Sequence, residues 1–280
     1  MLSYRHEFHA GNFADCFKHT LLLQLLEGLR HKEKPFCVLD THAGRGTYGL
    51  DSAAARKTAE YQSGIARLWA AESLGPELAA YRQAVVSLNS GGGLRVYPGS
   101  PWLAHARLRG QDRLLLCELH PGDYPPLKQL FSHDHRVAVH QRDGYEAVGA
   151  FLPPPERRGL LFMDPAFEDR HEFDHLLDTL QRVHRHWREG IVAIWYPIID
   201  REPSARFLRR AAATGIPGLL CVELGLAAYD TPLGMKGCGM LLKNPPYQVD
   251  EALARWLPEL LALLGAGAAG NTRIEWLTAA

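Results

Sequence analysis

The sequence lacks the marks of several common classes of protein. Lys plus Arg equals Asp plus Glu at 31 each, so no global positive field draws the chain to nucleic acid. Any nucleic-acid contact has to come from a local patch. Cysteine is sparse: the five residues form no C-x-x-C pair and no regular spacing. Three of them sit in strand-like apolar runs, where a free thiol acts as a small hydrophobe, and a reducing cytoplasm is the natural compartment. No apolar run is long enough to span a membrane, and the opening residues have no uninterrupted apolar core of the signal-peptide kind. A soluble, cytoplasmic protein with no membrane and no obligate protein partner is expected. The dinucleotide fingerprint G-x-G-x-x-G is absent, which argues against a nicotinamide dehydrogenase. The H-x-H pairs His133/His135 and His184/His186 lack a third ligand at sensible spacing, so no metal site is expected.

What is present is ordinary globular material, 46% hydrophobic and 22% charged, without repeat or low-complexity linker. Phe13, Phe17, Leu21, Leu22, Leu25, Leu26 and Leu29 recur at helical spacing and predict an amphipathic helix to about residue 31. Apolar runs at "FCVLD", "RLLLCELH", "RVAVHQRDG", "GLLFMDPAF", "GIVAIWYP", "GLLCVELGL" and "GCGMLLKNPPY" predict seven strands, with a further short one in "TRIEWL". Most are separated by helical text, which implies a mostly parallel α/β sheet with helices on both faces. The seventh follows the sixth through a loop too short for a crossover helix and should run antiparallel to it. About 70 residues separate strands one and two, far more than a crossover needs, so a helical insertion over roughly 52–95 is expected within one domain spanning 1–280.

Such sheets bind ligands beyond the carboxyl ends of their parallel strands. Four of the first five predicted strands end in an acid: Asp40, Glu118, Asp143 and Asp164. Acids there suit a ligand that is rich in hydroxyls and carries positive charge, as S-adenosylmethionine does with its ribose diol, ammonium and sulfonium. Glu118 is placed for ribose hydroxyls, and Asp143 with Gly144 reads equally as a neighbour of the adenine ring and as a simple turn. The plain reading of Asp40 and the glycine turn containing Gly44 is a helix cap and a tight turn, which any α/β protein needs.

"GLLFMDPAF" carries the chemistry. An aromatic amine is a poor nucleophile because its lone pair is delocalised into the ring. A carboxylate (Asp164) and a main-chain oxygen (Pro165) that accept its two N–H groups help the nitrogen pyramidalise and stabilise the developing charge. An aromatic two residues on, Phe167, can stack on the base. Ala166 stands where a second proline would stiffen the turn, and it removes neither an acceptor nor a ring. "NPPY" at 244–247 fits the amine-methylation consensus better, but the reversed strand carries it away from the ligand edge, so Asn244 reads as structural.

The blocks "LSYRHEFHAGNFADCFKH", "LDTHAGRGTY", "EYQSGIARLW", "YPGSP", "ELHPGDYP", "DGYEA", "DPAF", "WYP" and "NPPY" resemble the bacterial RlmJ family over essentially the whole chain. The resemblance implies a class I methyltransferase with a Rossmann-like sheet that uses S-adenosylmethionine on the N6 amine of adenosine 2030 in naked or partly assembled 23S rRNA. It implies that His19, His42, Ser100, Glu118, Asp143, Gly144 and Asp164 form the cofactor pocket, and that Asp164 is also the catalytic acceptor. Tyr4, His6 and Lys18 resemble residues that receive the target adenosine. Ala166 and Phe167 depart from the usual Asp-Pro-Pro-Tyr. Basic groups in "RFLRR" and "HARLRGQDR" could widen an RNA track, and Trp195-Tyr196-Pro197 reads equally as a base neighbour or as core. Two alternatives stand beside this reading: a methyltransferase for DNA adenine or protein glutamine, and an RNA-binding protein that keeps the fold without turnover.

Overall fold

The computed structural model describes residues 4–227, 234–265 and 270–279. Leu2 and Ser3 of the opening block lie outside them. A 3-10 turn (His6–Phe8) leads into α1 (Phe13–Arg30), β1 (Cys37–Asp40) and a short strand β2 (Thr47–Gly49). Four helices follow: α2 (Ala53–Thr58), α3 (Glu60–Ser63), α4 (Ile65–Ala70) and α5 (Pro76–Ser87). After β3 (Val96–Pro98) and α6 (Ser100–His105), strands and helices alternate as β4 (Arg113–Cys117), α7 (Tyr124–Leu130), β5 (Val137–His140), α8 (Gly144–Phe151), β6 (Gly159–Met163), α9 (Glu172–His186), β7 (Ile191–Ile198), α10 (Arg201–Ala213) and β8 (Leu219–Gly225). The chain closes with β9 (Gly237–Lys243), α11 (Val249–Leu263) and β10 (Asn271–Trp276).

Eight strands form one sheet in the order β10-β8-β9-β7-β6-β1-β4-β5. β5, β4, β1, β6 and β7 are mutually parallel, with Leu39 in register with both Leu115 and Leu161. β9 runs antiparallel between β7 and β8, and β10 runs antiparallel along β8. Alternation along each strand sends side chains to two cores, as a two-period pleat requires. Val38, Leu114, Leu160 and Phe162 pack with α1, α5, α6 and α11, while Leu39, Leu115, Leu161 and Met163 pack with α8, α9 and α10. Helices therefore cover both faces. Asn244, just past β9, donates to the Glu189 carbonyl, and Tyr247 is almost fully exposed. All five cysteines are buried and unpaired. No helix among the described residues is long and apolar enough to cross a membrane.

Three local readings change. α1 is not amphipathic but buried nearly all round, with Asp15, Lys18, His19 and Thr20 as inaccessible as its leucines. It threads between the sheet on one side and α5, α6 and α11 on the other. The helical text expected within roughly 52–95 is broken at Ala59, which is left-handed, and again around Gly64 and Pro76. β2 and β3, absent from the sequence reading, pair antiparallel and bracket those helices.

Candidate active site

Asp40, the last residue of β1, is buried, and the turn after it is built on its carboxylate. Ser100 Oγ donates to one oxygen at 2.7 Å and the His42 amide to the other at 3.2 Å. Burial pushes this carboxyl up to about 7, against the opposing hydrogen bond from Ser100. The turn then crosses to β4, where Glu118 accepts the amides of Gly44 at 2.7 Å and His120 at 2.6 Å. Gly44 is left-handed, with φ +61°, which suits a residue without Cβ. Burial raises the Glu118 carboxyl, against those two amides. Asp143 caps α8 with one oxygen, accepting from the Tyr145 and Glu146 amides. A Cβ at Gly144 would lie 2.4 Å from the Thr41 carbonyl oxygen, so only glycine lets α8 start there.

At the tip of β6, Asp164 accepts from Lys18 Nζ at 2.5 Å. Lys18 also meets Asp15 Oδ1 at 2.8 Å. Burial works to lower the ammonium, but Asp15 and Asp164 outweigh it and hold Lys18 well above its ordinary value. Asp15, wholly inaccessible, is in turn held well below the usual carboxylate range: burial would raise it, and His6 and Lys18 overcome that. Its other oxygen meets His6 Nε2 at 3.0 Å and the Gly11 amide at 2.7 Å. Tyr4 is fastened by its amide to Glu168 and by its hydroxyl to His6 Nδ1, at 2.9 Å each. The opening arm thus lies over the loop that carries Asp164.

These parts enclose one cleft of about 1280 Å³. A single small-molecule site occupies roughly 300–1,000 Å³, so there is room for two ligands side by side. All the candidate residues line it: Tyr4, His6, Lys18, His19, His42, Gly44, Ser100, Glu118, Asp143, Gly144, Asp164, Pro165 and Phe167. They do so in different ways. His19 is spent on the Tyr97 hydroxyl at 2.7 Å, and burial drives its imidazole down to about 3, so it is neutral. His42 is likewise neutral, lowered by burial to about 4, and meets Tyr145 edge-on. Phe167 has φ +53° and packs edge-to-face on Phe173 and Trp195. Ala166 beside it is exposed. Among the described residues no three His, Cys, Asp or Glu groups converge to hold a metal.

Residues 33–278 match the family model described as ribosomal RNA large subunit methyltransferase D, RlmJ. The chain is 42% identical to ribosomal RNA large subunit methyltransferase J of Escherichia coli K12 and 43% identical to that of Haemophilus influenzae Rd, over 99% of both partners in each case. A solved structure of a Legionella pneumophila protein superposes with a TM-score of 0.88 at 36% identity, covering 95% of this chain and 98% of that one. The chain belongs to the RlmJ family. It is a ribosomal RNA methyltransferase.

Within this RlmJ-family cleft the pleat decides between the two readings of the "WYP" motif. Trp195 lines the cleft, with Lys18 Nζ 5.6 Å from its ring centre, while Tyr196 is buried on the opposite face and donates to Glu223. Much of the supposed basic track is already paired: Arg209 with Glu202, Arg210 with Asp174, Arg109 with Asp112, and Arg113 with Glu156. Asp15 and Tyr97 went unremarked in the sequence. A signal for Asp15 existed: it is an acid one turn ahead of Lys18 on a leucine-rich helix, and the i, i+3 spacing puts the two charges together.

Proposed function

We propose that this chain moves a methyl group from S-adenosylmethionine to the N6 amine of one adenosine in 23S rRNA, in the cytoplasm, as one domain with residues 52–95 inserted between strands one and two. The observation that carries the reading is Asp164 at the tip of β6, facing a cleft wide enough for two ligands and floored by Glu118 and Asp143. The donor set suits the cofactor. Glu118 is already fixed by two amides and keeps lone pairs for ribose hydroxyls, and Asp143 Oδ2 has no hydrogen bond among the described residues. When bound, S-adenosylmethionine supplies an electrophilic methyl group on a sulfonium.

The chain's own residues do the rest. Asp164 and the Pro165 carbonyl accept the two N–H bonds of the amine, and Asp164 takes up the charge that develops on nitrogen. Trp195 and Phe167 offer aromatic walls for the purine. The base has to leave its stack to reach them, which favours adenosine in a loop or at a hairpin edge. The amine also has to share Asp164 with Lys18, which retains Asp15 as a second anchor. Tyr4, His6 and Lys18 then border the base on the arm side.

The test is Asp164→Ala, assayed with labelled cofactor on a 23S hairpin, duplex DNA and glutamine-bearing protein. We expect the parent to label only the RNA. The variant should bind cofactor within a few-fold of the parent by calorimetry and label nothing. Normal RNA methylation by the variant would refute the role of this carboxylate, and labelling of DNA or protein alone would refute the substrate.

A further inference from the structure

We propose that Tyr97, backed by Tyr81, is a positioning residue for the cofactor: it holds His19 in the tautomer whose hydrogen is on Nε2, and so offers an uncharged N–H donor to the carboxylate of S-adenosylmethionine. The inference rests on the cofactor reading above and deepens it. His19 is buried on α1 and lines the cleft. Its Nδ1 lies 2.7 Å from the Tyr97 hydroxyl, which lies 2.8 Å from the Tyr81 hydroxyl. Beyond Tyr81 stands the Cys16 thiol, at 3.9 Å. All four side chains are buried. Among the described residues only Nδ1 of the His19 ring has a hydrogen bond, which leaves Nε2 for a ligand.

Each hydroxyl in this row has one hydrogen to give, so the row runs in one of two directions. Outward, Tyr81 donates to Tyr97 and Tyr97 to Nδ1, and the imidazole hydrogen sits on Nε2. Inward, Nδ1 donates to Tyr97, Tyr97 to Tyr81 and Tyr81 to the thiol, and Nε2 is bare. Two features favour the outward direction. The inward row ends on sulfur, a weak acceptor at 3.9 Å, where the outward one needs no such bond. The outward row also sets a phenol hydroxyl, the better donor, against an imidazole nitrogen, the better acceptor. Burial keeps the imidazole uncharged, so it carries one ring hydrogen and not two.

The cofactor brings one anionic group, its carboxylate, to a cleft whose strand ends are acids. Two neighbouring donors are already committed: Ser100 gives its hydrogen to Asp40, and Lys18 is divided between Asp15 and Asp164. Tyr97 lies at the centre of β3, three residues before Ser100 opens α6, so one short segment both orients His19 and fixes the turn after β1. A hydrogen on Nε2 meets a carboxylate, whereas a bare nitrogen would repel it.

The experiment uses the full-length protein. Without ligand, 15N NMR of labelled histidine should show a single His19 tautomer, protonated on Nε2 and bare on Nδ1. By calorimetry the parent should bind S-adenosylmethionine roughly ten- to a hundredfold more tightly than decarboxylated S-adenosylmethionine, the worth of one hydrogen bond to a charged group. Tyr97→Phe removes a single oxygen. It should let both tautomers appear and narrow that ratio roughly threefold, because only part of the population keeps the competent tautomer. Affinity for the decarboxylated analogue should not change. A parental hydrogen on Nδ1, an unmoved tautomer in Tyr97→Phe, or an equal loss for both ligands overturns the assignment; the last is what a tyrosine that only packs would give. Should Tyr97→Phe not fold, the parent's tautomer decides alone. A parent that binds neither ligand overturns the cofactor reading itself, a result distinct from the tautomer, which is read without ligand.

Discussion

Glu118→Gln tests how much of the cofactor floor depends on a single side chain. The carboxylate accepts the Gly44 amide at 2.7 Å and the His120 amide at 2.6 Å, so it clamps the turn after β1 to the turn after β4. Glutamine keeps one acceptor oxygen and sets an NH2 group against the other amide, donor to donor. One charge-assisted hydrogen bond is lost, worth about 1.5–3 kcal/mol. Because the clamp orders loops at the cleft and not the core, most of that loss should fall on ligand binding. At about 1.4 kcal/mol per decade, S-adenosylmethionine should bind roughly ten- to a hundredfold more weakly by calorimetry. Melting temperature should move by only a few degrees. In the parent, binding should also weaken as pH falls through the raised Glu118 value, because protonation removes an acceptor lone pair, and this pH dependence should vanish in the variant. Cofactor affinity within threefold of the parent at neutral pH would refute the clamp.

Further outcomes follow from the same coordinates. Asp40 stands at about 7 when folded, above its unfolded value of 3.8, so the stability it contributes is fully present below about pH 4 and is lost as pH rises through 7. Asp40→Asn should therefore gain roughly 2–4 kcal/mol on the parent between pH 4 and pH 8 in denaturant titrations; a constant difference across that range would sink the account. Gly144→Ala forces Cβ toward the Thr41 carbonyl and should destabilise by about 1–3 kcal/mol, with unchanged melting as the contrary result. Lys243 is buried at the end of β9, and its ammonium donates to the carbonyls of Trp187, Arg188 and Gly190 as α9 ends. Lys243→Met leaves those oxygens unmet and should lower stability by about 2–4 kcal/mol, measured by the same titration; an unchanged midpoint would show that the cap is dispensable.

The sheet was legible because parallel strands buried on both faces write themselves as unbroken apolar runs, and because β9 follows β8 too closely to cross over. Three of the acids at the strand ends were legible for a similar reason: Asp40, Glu118 and Asp164 each stand directly after an apolar run. β2 and β3 were not, since three residues each carry no period. α1 was misjudged because Lys18, His19 and Asp15 look like a polar face. They are polar groups that satisfy one another and partners elsewhere in the chain, and no helical pattern foretells a partner 146 residues away such as Asp164. Phe167 was recognised as an aromatic at the right spacing, but its left-handed backbone and its packing on Phe173 depend on tertiary neighbours.

The short helices between β2 and β3 do not stand apart from the arm. Glu60, at the start of α3, grips both His9 and the Asn12 amide, and the first amide of α4 (Ile65) donates to the Gly11 carbonyl. Asn12 in turn seats Asp15, and Asp15 seats Lys18. The segment is therefore a buttress whose thrust ends at Asp164. Loosening it at Glu60, on the arm side of the cleft, should be felt as slack at Asp164.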